Sequence, residues 1–257
     1  MFGQEFSVFG ISDGERVVPF AISIQDHKRL LDGDKGPNTG GMGAHGPVPI
    51  ADKDMVKFIA DKMMTPAVQQ IKKENGEPYK GFLYAAVIMT EHGPKILEYN
   101  CRFGDPEAQP AVMMLRDGLY LPIKYALEGR LDQMKVEFRP GAACCVVMAA
   151  NGYPDSKIAG YVKGLPIGGL DKVAELQGVK VFHAGTGSDE QGNLTVAGGR
   201  VLGVTAYSLN GIESAQPLAY TAVHIIDEAT RELNNRIVFI CRHDIAGRAL
   251  EASRGSK

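Results

Sequence analysis

Apolar runs of strand length occur in this chain as close neighbours, each pair split by a short polar turn, and that confines it to folds built around antiparallel sheet. "EFSVFGI" and "RVVPFAISI" flank "SDGE", and "GFLYAAVIMT" and "PKILEYN" flank "EHG". Turn residues between two runs of strand composition are a hairpin signal, so Glu5–Ile24 and the stretch 81–100 are each expected to pair with themselves. Between the hairpins, Met55, Phe58, Ile59, Met63, Ala67 and Ile71 recur at helical spacing from Asp52 to Lys73. That helix is expected to present these residues to the core, to bend or restart at Pro66, and to stop at "ENGEP". "QDHKRLLDGDKGPNTGGMGAHGPVP" has no periodicity and is expected as a long loop. "DPEAQPAVMMLRDG" opens a further helix, with Asp105 as N-cap and Pro106 at the first helical position.

Past "EFRPGAACC" the composition shifts. "AACCVVMAA" reads as a buried strand, and glycine-rich turns carry "VKVFHAGT", "LTVAG" and "RVLGVTA" as three short strands up to about Gly211. "GIESAQPLAYTAVHIIDEATREL" then supplies a helix, Pro217 near its start notwithstanding. With a boundary near Phe138, the expected architecture is α+β in two lobes, 1–138 and 139–257. A length of 257 residues suits two modest cores.

Hydrophobic residues at 44% and charged residues at 23% describe an ordinary soluble globular protein. A net charge of -2 argues against nucleic-acid partners and against an anionic membrane. No apolar run reaches the roughly 18–20 residues of a bilayer span, and "MFGQEFSVFGISDG" lacks a basic start and a cleavage site, so no signal peptide is expected. Cys101, Cys144, Cys145 and Cys241 have no C-x-x-C spacing and read as reduced cysteines of a cytoplasmic protein.

The chemistry gathers where "KILEYNCRFGDPE" leaves its strand. In regular alternation Glu98, Asn100 and Arg102 share one face, and Tyr99 and Cys101 take the other. Glutamate and asparagine two apart offer oxygen ligands to a hard cation such as Mg²⁺, which binds one or two protein groups and fills its shell with water and substrate phosphates. Arg102 would stand where charge develops on a transferring phosphoryl group. A surface salt-bridge ladder is the plain alternative for a pattern as short as E-x-N-x-R. "GDKGPNTGGMGA" adds five glycines between Gly33 and Gly43, a composition that lets backbone approach an anion and turn its N–H groups inward. The G-x-G-x-x-G from Gly41 to Gly46 is not a dinucleotide fingerprint. No strand runs into it, Pro47 and Pro49 follow where a helix should start, and no βαβ unit surrounds it.

"QDHKRLLDGDKGPNTGGMGA" and "ILEYNCRFGDPEAQ", with "VFHAGT", "AGGRVLGVTA" and "RHDIAGRAL", resemble the glycinamide ribonucleotide synthetase (phosphoribosylamine–glycine ligase) family of ATP-grasp enzymes of purine synthesis. The resemblance runs over essentially the whole chain. It implies the C-terminal half of an ATP-grasp domain, an antiparallel sheet with helices, followed by a small α+β C-terminal domain. It further implies a ligation in which ATP phosphorylates the carboxylate of glycine and the amine of 5-phosphoribosylamine attacks the glycyl phosphate. By position, Glu98 and Asn100 are then metal ligands for Mg²⁺, with Mn²⁺ as the other ion to consider, and Arg102 is the catalytic partner of the phosphoryl group. Asp26, Lys28, Asn38, Thr39, Gly40, Gly41, Met42 and Gly43 would bind substrate, and Phe103, Asp105, Pro106 and Glu107 would complete the pocket.

The chain departs from the family pattern at Ala108, where threonine is usual, and in "CRHDIAGRAL". It also begins about halfway through that pattern. The N-terminal domain, the lid lobe with its glycine-rich loop, and the linker that grips adenine have no counterpart in these residues. Turnover by this chain alone is therefore not expected; it reads either as a truncated piece of a longer ligase or as one piece of a split enzyme whose other portion is another chain. The alternative is an inactive or purely binding subunit that keeps the substrate pocket. A different carboxylate–amine ligase would need a different loop from "PNTGGMGA". Of the remaining polar residues, His183 and Arg200 are expected to be structural. His27, between Asp26 and Lys28, is expected to bond rather than act as a base, and His45 and His92 are expected in turns without chemical duty.

Overall fold

The computed structural model describes residues 2–154, 161 and 163–255. The chain begins with strands β1 (Gln4–Asp13) and β2 (Val17–Asp26), then a short hairpin of β3 (Arg29–Leu31) and β4 (Lys35–Asn38), then β5 (Gly43–Gly46). Helices α1 (Lys53–Ile59) and α2 (Thr65–Asn75) follow, then β6 (Lys80–Thr90), β7 (Gly93–Asn100), α3 (Ala108–Met114) and α4 (Tyr120–Glu128). The remainder is β8 (Ala142–Ala150), α5 (Leu170–Ala174), β9 (Val179–His183), β10 (Thr186–Ser188), β11 (Leu194–Val196), β12 (Arg200–Ser208), α6 (Ile212–Asn234), β13 (Phe239–Ile240) and α7 (Gly247–Gly255). The architecture is α+β, and two compact units divide it: Met1–Gln25 with Gly46–Pro140, and Asp26–His45 with Gly141–Lys257. The glycine-rich segment before α1 thus belongs with the C-terminal residues. It is also not a plain loop, because it holds the β3–β4 hairpin and the buried strand β5.

In the first unit the sheet runs β7-β6-β1-β2, antiparallel throughout. Phe6 and Val8 of β1 and Leu83, Ala85 and Val87 of β6 line one face, against Val56, Ile59, Ala60, Met64 and Val68 of the helices. Phe58, expected in that core, is exposed. Val56 and Ile59 take the buried side of α1, which turns Phe58 outward; a π-helical turn, Ala60–Met64, then joins α1 to α2, and there Thr65 N–H bonds back to Ala60 O. The wider turn rotates the helix surface and takes up the missing N–H of Pro66. Gly76, in the left-handed conformation, ends α2.

The opposite face of this sheet carries aromatic rings. Phe9 meets Tyr84 at 4.6 Å between centroids, and Phe20 meets Phe82, Phe103 and Phe138 at 6.0, 5.4 and 5.6 Å. Phe103 stacks on Phe82 at 4.9 Å and meets Phe9 edge-on at 5.2 Å. Offset and edge-to-face pairs of this kind add to the burial of the rings themselves.

In the second unit the sheet order is β5-β8-β12-β9, with β13 paired to β8. All nine residues of β8 are buried, which is why "AACCVVMAA" reads as a continuous apolar run rather than an alternation. Helix α6 lies against β8 and β12 and contributes Ala219, Ala222, Val223 and Ile226 to a core with Cys144, Val146, Met148, Leu202 and Val204.

Phe20 is almost fully buried at the centre of the aromatic face. Replacing it with alanine should cost about 3–5 kcal/mol, read as a lower urea midpoint for the unfolding transition.

Candidate functional site

The strand end that the sequence singles out lies in the first unit. On β7 the register slips by one residue: Val87 pairs with Ile96, but Ala86 pairs with Glu98 and Tyr84 with Asn100. Leu97 is the extra residue of this bulge. It lets Ile96 pack towards the helices while Glu98 and Asn100, paired to Ala86 and Tyr84, turn to the aromatic face. Tyr99 stays on the helix side, where its hydroxyl donates to Met63 O at 2.9 Å. Asn100 Nδ2 donates to Glu98 Oε1 at 3.0 Å, so the two side chains are brought together. Asn100 Oδ1 and Glu98 Oε2 lie outside that bond and could act as oxygen ligands for a hard cation, a sparse donor set of the kind that suits Mg²⁺. Among the described residues, no cluster of three or more His, Cys, Asp or Glu side chains offers a fuller cage.

Arg102 lies past the end of β7, so strand alternation does not place it. Its Nη1 donates to Phe103 O at 3.1 Å, and its guanidinium carbon is 6.0 Å from the centroid of the Tyr84 ring, cross-strand from Asn100. Asp105 is exposed and accepts from Gln109 Nε2 at 2.9 Å. Neither it nor Pro106 starts the helix: α3 begins at Ala108, with Glu107 at the cap position and Ala108 N–H bonded to Gly104 O at 3.1 Å. The turn Gly104–Glu107 closes on itself first, and that delays the helix by two residues from the expected start. Phe103 is held in the aromatic cluster, Pro106 is buried, and Glu107 is only 3% exposed. Burial pushes the Glu107 carboxyl up. Its own backbone N–H, the Tyr84 hydroxyl and the Arg102 charge pull it partly back, and Asp105 adds to the rise.

The remaining expected site residues lie in the second unit. Asp26 ends β2 half-buried, and Lys28 and Asn38 are exposed. From Thr39 to Met42 every amide already has an acceptor within the unit. Thr39 N–H donates to Lys28 O (2.8 Å), Gly40 N–H to the Tyr153 hydroxyl (3.1 Å), Gly41 N–H to Thr39 Oγ1 (3.0 Å) and Met42 N–H to His27 O (2.8 Å). Arg200 Nη1 donates to the carbonyls of Gly40 and Gly41 at 2.5 and 3.4 Å. The expectation that these glycines turn free N–H groups towards an anion is therefore not met. Close packing explains them instead. A Cβ on Gly40 would sit 3.0 Å from Arg200 Cζ, one on Gly43 would sit 2.7 Å from Cys145 O, and Gly41 has φ +108. Met42 is fully buried. What this segment could offer a ligand is its side chains, those of Lys28 and Asn38, with Thr39 Oγ1, which already donates to Lys28 O at 2.9 Å, able to accept a further bond.

Two further features of the second unit hold that backbone. Arg242, buried to 2% exposure, grips Asp244 with two bonds of 2.7 Å, Asp34 at 2.9 Å and Arg29 O at 3.2 Å. Arg248 also reaches Asp34, at 3.0 Å, and the N–H groups of Gly33 and His243 donate to Asp244 and Asp32 at 2.7 Å each. The "RHDIAGRAL" stretch thereby staples the β3–β4 hairpin. Burial would raise the Asp244 carboxyl, but the Arg242 fork and the Gly33 N–H outweigh it and hold the group well below the usual carboxylate range.

Beside this staple lie two buried imidazoles. His27 Nε2 stands 3.3 Å from His45 Nδ1 and accepts from Ala246 N–H at 3.3 Å. His45 is not in a turn but in β5, and its Nε2 has no hydrogen-bond partner among the described residues. Burial depresses both groups. His27 falls to about 4, helped by the Arg242 charge, and His45 to about 3, helped by His27. Tyr153 and Arg200 were not marked as site residues by the sequence.

Comparison with known proteins gives a consistent answer. The family model for phosphoribosylglycinamide synthetase, ATP-grasp (A) domain, matches residues 1–108, and that for phosphoribosylglycinamide synthetase, C domain, matches residues 143–248. The chain is 43% identical to the phosphoribosylamine–glycine ligase of Rhodopirellula baltica over 96% of its own length and 53% of that protein's. It is 42% identical to the phosphoribosylamine–glycine ligase of Vigna unguiculata, over 88% of this chain and 71% of that one. The crystal structure of phosphoribosylamine–glycine ligase from Thermotoga maritima superposes with a TM-score of 0.75 at 34% identity, over 95% of this chain and 56% of that one. Against several of these relatives the chain spans about half their length, from 44% to 56%.

Arg200→Ala should leave the fold intact and speed hydrogen exchange at the Gly41 and Met42 amides about tenfold or more, the loss expected for a charge-assisted hydrogen bond. The histidine pair makes stability pH-dependent. The unfolded chain takes up protons on both rings below about 6.5, whereas the folded chain does so only near about 4 and about 3. The melting temperature should therefore fall as pH drops from about 6.5 towards about 3, and His45→Gln should flatten that slope.

Proposed function

The chain belongs to the phosphoribosylglycinamide synthetase (phosphoribosylamine–glycine ligase) family, and from that premise we propose that it forms the phosphoryl-transfer and substrate-binding part of an ATP-dependent carboxylate–amine ligase of purine synthesis. In this reading residues 1–138 are the second half of the ATP-grasp domain and 139–257 are the C-terminal domain. The substrates are glycine, 5-phosphoribosylamine and ATP. The first step makes glycyl phosphate, and the second lets the amine displace phosphate to give glycinamide ribonucleotide. The setting is the cytoplasm, and the lid and N-terminal portion of the family pattern come from outside the matched residues. The observation that carries this reading is the pairing of Glu98 with Asn100 on one face of β7, beside Arg102.

Glu98 and Asn100 would hold Mg²⁺, or Mn²⁺ in its place, and the ion when bound would offset the negative charge of the phosphates. The work of the chain's own residues follows from their positions. Asn100 orients the Glu98 carboxylate through its Nδ2 donor, and so keeps one oxygen of each side chain for the cation. Arg102, exposed at the strand end, would contact the phosphoryl oxygens as charge develops on them. Asp105, also exposed, is the acidic side chain of this turn able to meet the glycine ammonium. Lys28, Asn38 and Thr39 would bind phosphoribosylamine through side-chain atoms, since the neighbouring amides are already bonded. An amine attacking an acyl phosphate needs orientation more than a base.

The test is reconstitution. The chain is combined with a polypeptide carrying the preceding half of a family member, and ADP release is followed with glycine and phosphoribosylamine. Release should require both halves, and Arg102→Ala should lower it about 10²–10³-fold. Glu98→Gln should lower it too and raise the Mg²⁺ concentration needed. Substrate binding without ADP release would favour the binding-subunit alternative.

A further inference from the structure

Asp105, the acid proposed to meet the glycine ammonium, has a partner that the proposed reaction does not use. Gln109 Nε2 donates to Asp105 Oδ1 at 2.9 Å. The turn that precedes α3 brings the two together. Ala108 N–H bonds to Gly104 O at 3.1 Å, closing one helical turn, so residues 105 and 109 are neighbours on one face. On an isolated helix such a pair would be a minor solvent-facing contact. Two features of this turn make it more than that.

The first is the setting of the acid. Asp105 is exposed, but Gly104, Pro106 and Glu107 around it are buried, and Phe103 stacks on Phe82 at 4.9 Å. The backbone on both sides of Asp105 is thereby anchored. Its side chain can still rotate, and the Gln109 donor restrains that rotation. The second is the glutamine itself. Its Oε1 is enclosed and has no hydrogen-bond partner among the described residues. An enclosed amide oxygen without a donor is costly, and a methionine or leucine of similar volume would avoid that cost. What the amide has, and those side chains lack, is the N–H that reaches Asp105.

We propose that Gln109 is a positioning residue: through its Nε2 donor it holds the Asp105 carboxylate in one orientation, so that the glycine ammonium meets an acid already in place. The functional part of this inference rests on the reading of Asp105 as the partner of that ammonium, whereas the hydrogen bond itself belongs to the ligand-free chain. Ordering the carboxylate before glycine arrives removes an entropic cost from binding. Loss of the donor should therefore weaken glycine binding and leave the phosphoryl-transfer residues untouched. Loss of the enclosed Oε1 should not destabilise the fold.

The experiment has two arms. In the ligand-free chain, the Gln109 Nε2 protons should exchange with water about tenfold faster in Asp105→Ala than in the unmodified protein; equal rates overturn the proposal. In the reconstituted pair, Gln109→Met should raise the glycine KM about 3–10-fold, with kcat and the KM for ATP and for 5-phosphoribosylamine unchanged. Its urea midpoint should not fall, whereas a merely structural glutamine would lower the midpoint and leave the glycine KM alone. In an Asp105→Ala background, Gln109→Met should add nothing to the glycine KM, and full additivity overturns the proposal. If the pair releases no ADP, glycine affinity by calorimetry replaces KM. Should Gln109→Met fail to fold, Gln109→Leu replaces it, and Asp105→Ala, at an exposed position, keeps the exchange arm decisive. A glycine KM unmoved by Asp105→Ala removes Asp105 from the ligase reading and takes the inference with it. A glycine KM raised by Asp105→Ala but not by the Gln109 variants overturns the inference alone.

Discussion

One extra residue in β7 decides how the first unit separates structure from chemistry. Regular alternation would send Ile96 and Glu98 to the same side of the sheet, and one of them would be misplaced: a carboxylate among Val56, Ile59 and Met64, or an isoleucine among exposed polar groups. Leu97 resolves the conflict by standing outside the ladder, so that Ile96 opposes Val87 and Glu98 opposes Ala86. The helix face stays apolar, and Tyr99 is satisfied there by Met63 O. The other face gains an oxygen pair, a ring and a guanidinium in one corner. Bulges are found where a strand must re-aim a side chain, and here the re-aimed side chains are the ones with ligand chemistry.

The second unit meets a different constraint, which is where the hydrogen bonds of an irregular segment go. Backbone that leaves regular structure near a core must still pair its N–H and C=O groups. Between His27 and Gly43 the pairing is done by Lys28, Thr39, Tyr153, Arg200 and the facing backbone. Glycine recurs because partners approach within 3.0 Å or less of where a Cβ would stand at Gly40 and Gly43, and because φ is positive at Gly41. The Arg242 staple adds charge to the same task. A buried guanidinium is costly by itself, so the fork to Asp244 matters most, with Asp34 and Arg29 O completing its bonds.

Much of this was legible in the residue order. Both hairpins, the fully buried β8 and the long α6 announce themselves by period and by run length, because those signals come from which faces water reaches. The pairing of Glu98 with Asn100 was legible too, since residues two apart share a face whether or not a bulge precedes them. What escaped is decided by contacts between distant residues. The bond from Asn100 to Glu98 is local, but Tyr153 and Arg200 reach Gly40 from more than a hundred residues away. His45, set among turn-forming residues, gave no sign that it would be enclosed in β5 beside His27. Glu107, expected to help complete a substrate pocket, is instead enclosed above Gly104, which residue order does not announce.

The buried and exposed acids at the strand end illustrate why residue type alone underdetermines a site. Glu98, Asp105 and Glu107 lie within ten positions and carry the same functional group. Glu98 is exposed and shares a hydrogen bond with an amide, so its carboxylate keeps an oxygen for a cation. Asp105 is exposed and accepts from Gln109. Glu107 is enclosed, its acidity weakened by desolvation and partly restored by Tyr84 and Arg102. A carboxylate in the last environment acts chiefly on neighbours inside the protein, because little of it touches solvent. The division among the three acids follows from their depth: Glu98 and Asp105 face solvent, and Glu107 is enclosed in the turn that follows Arg102.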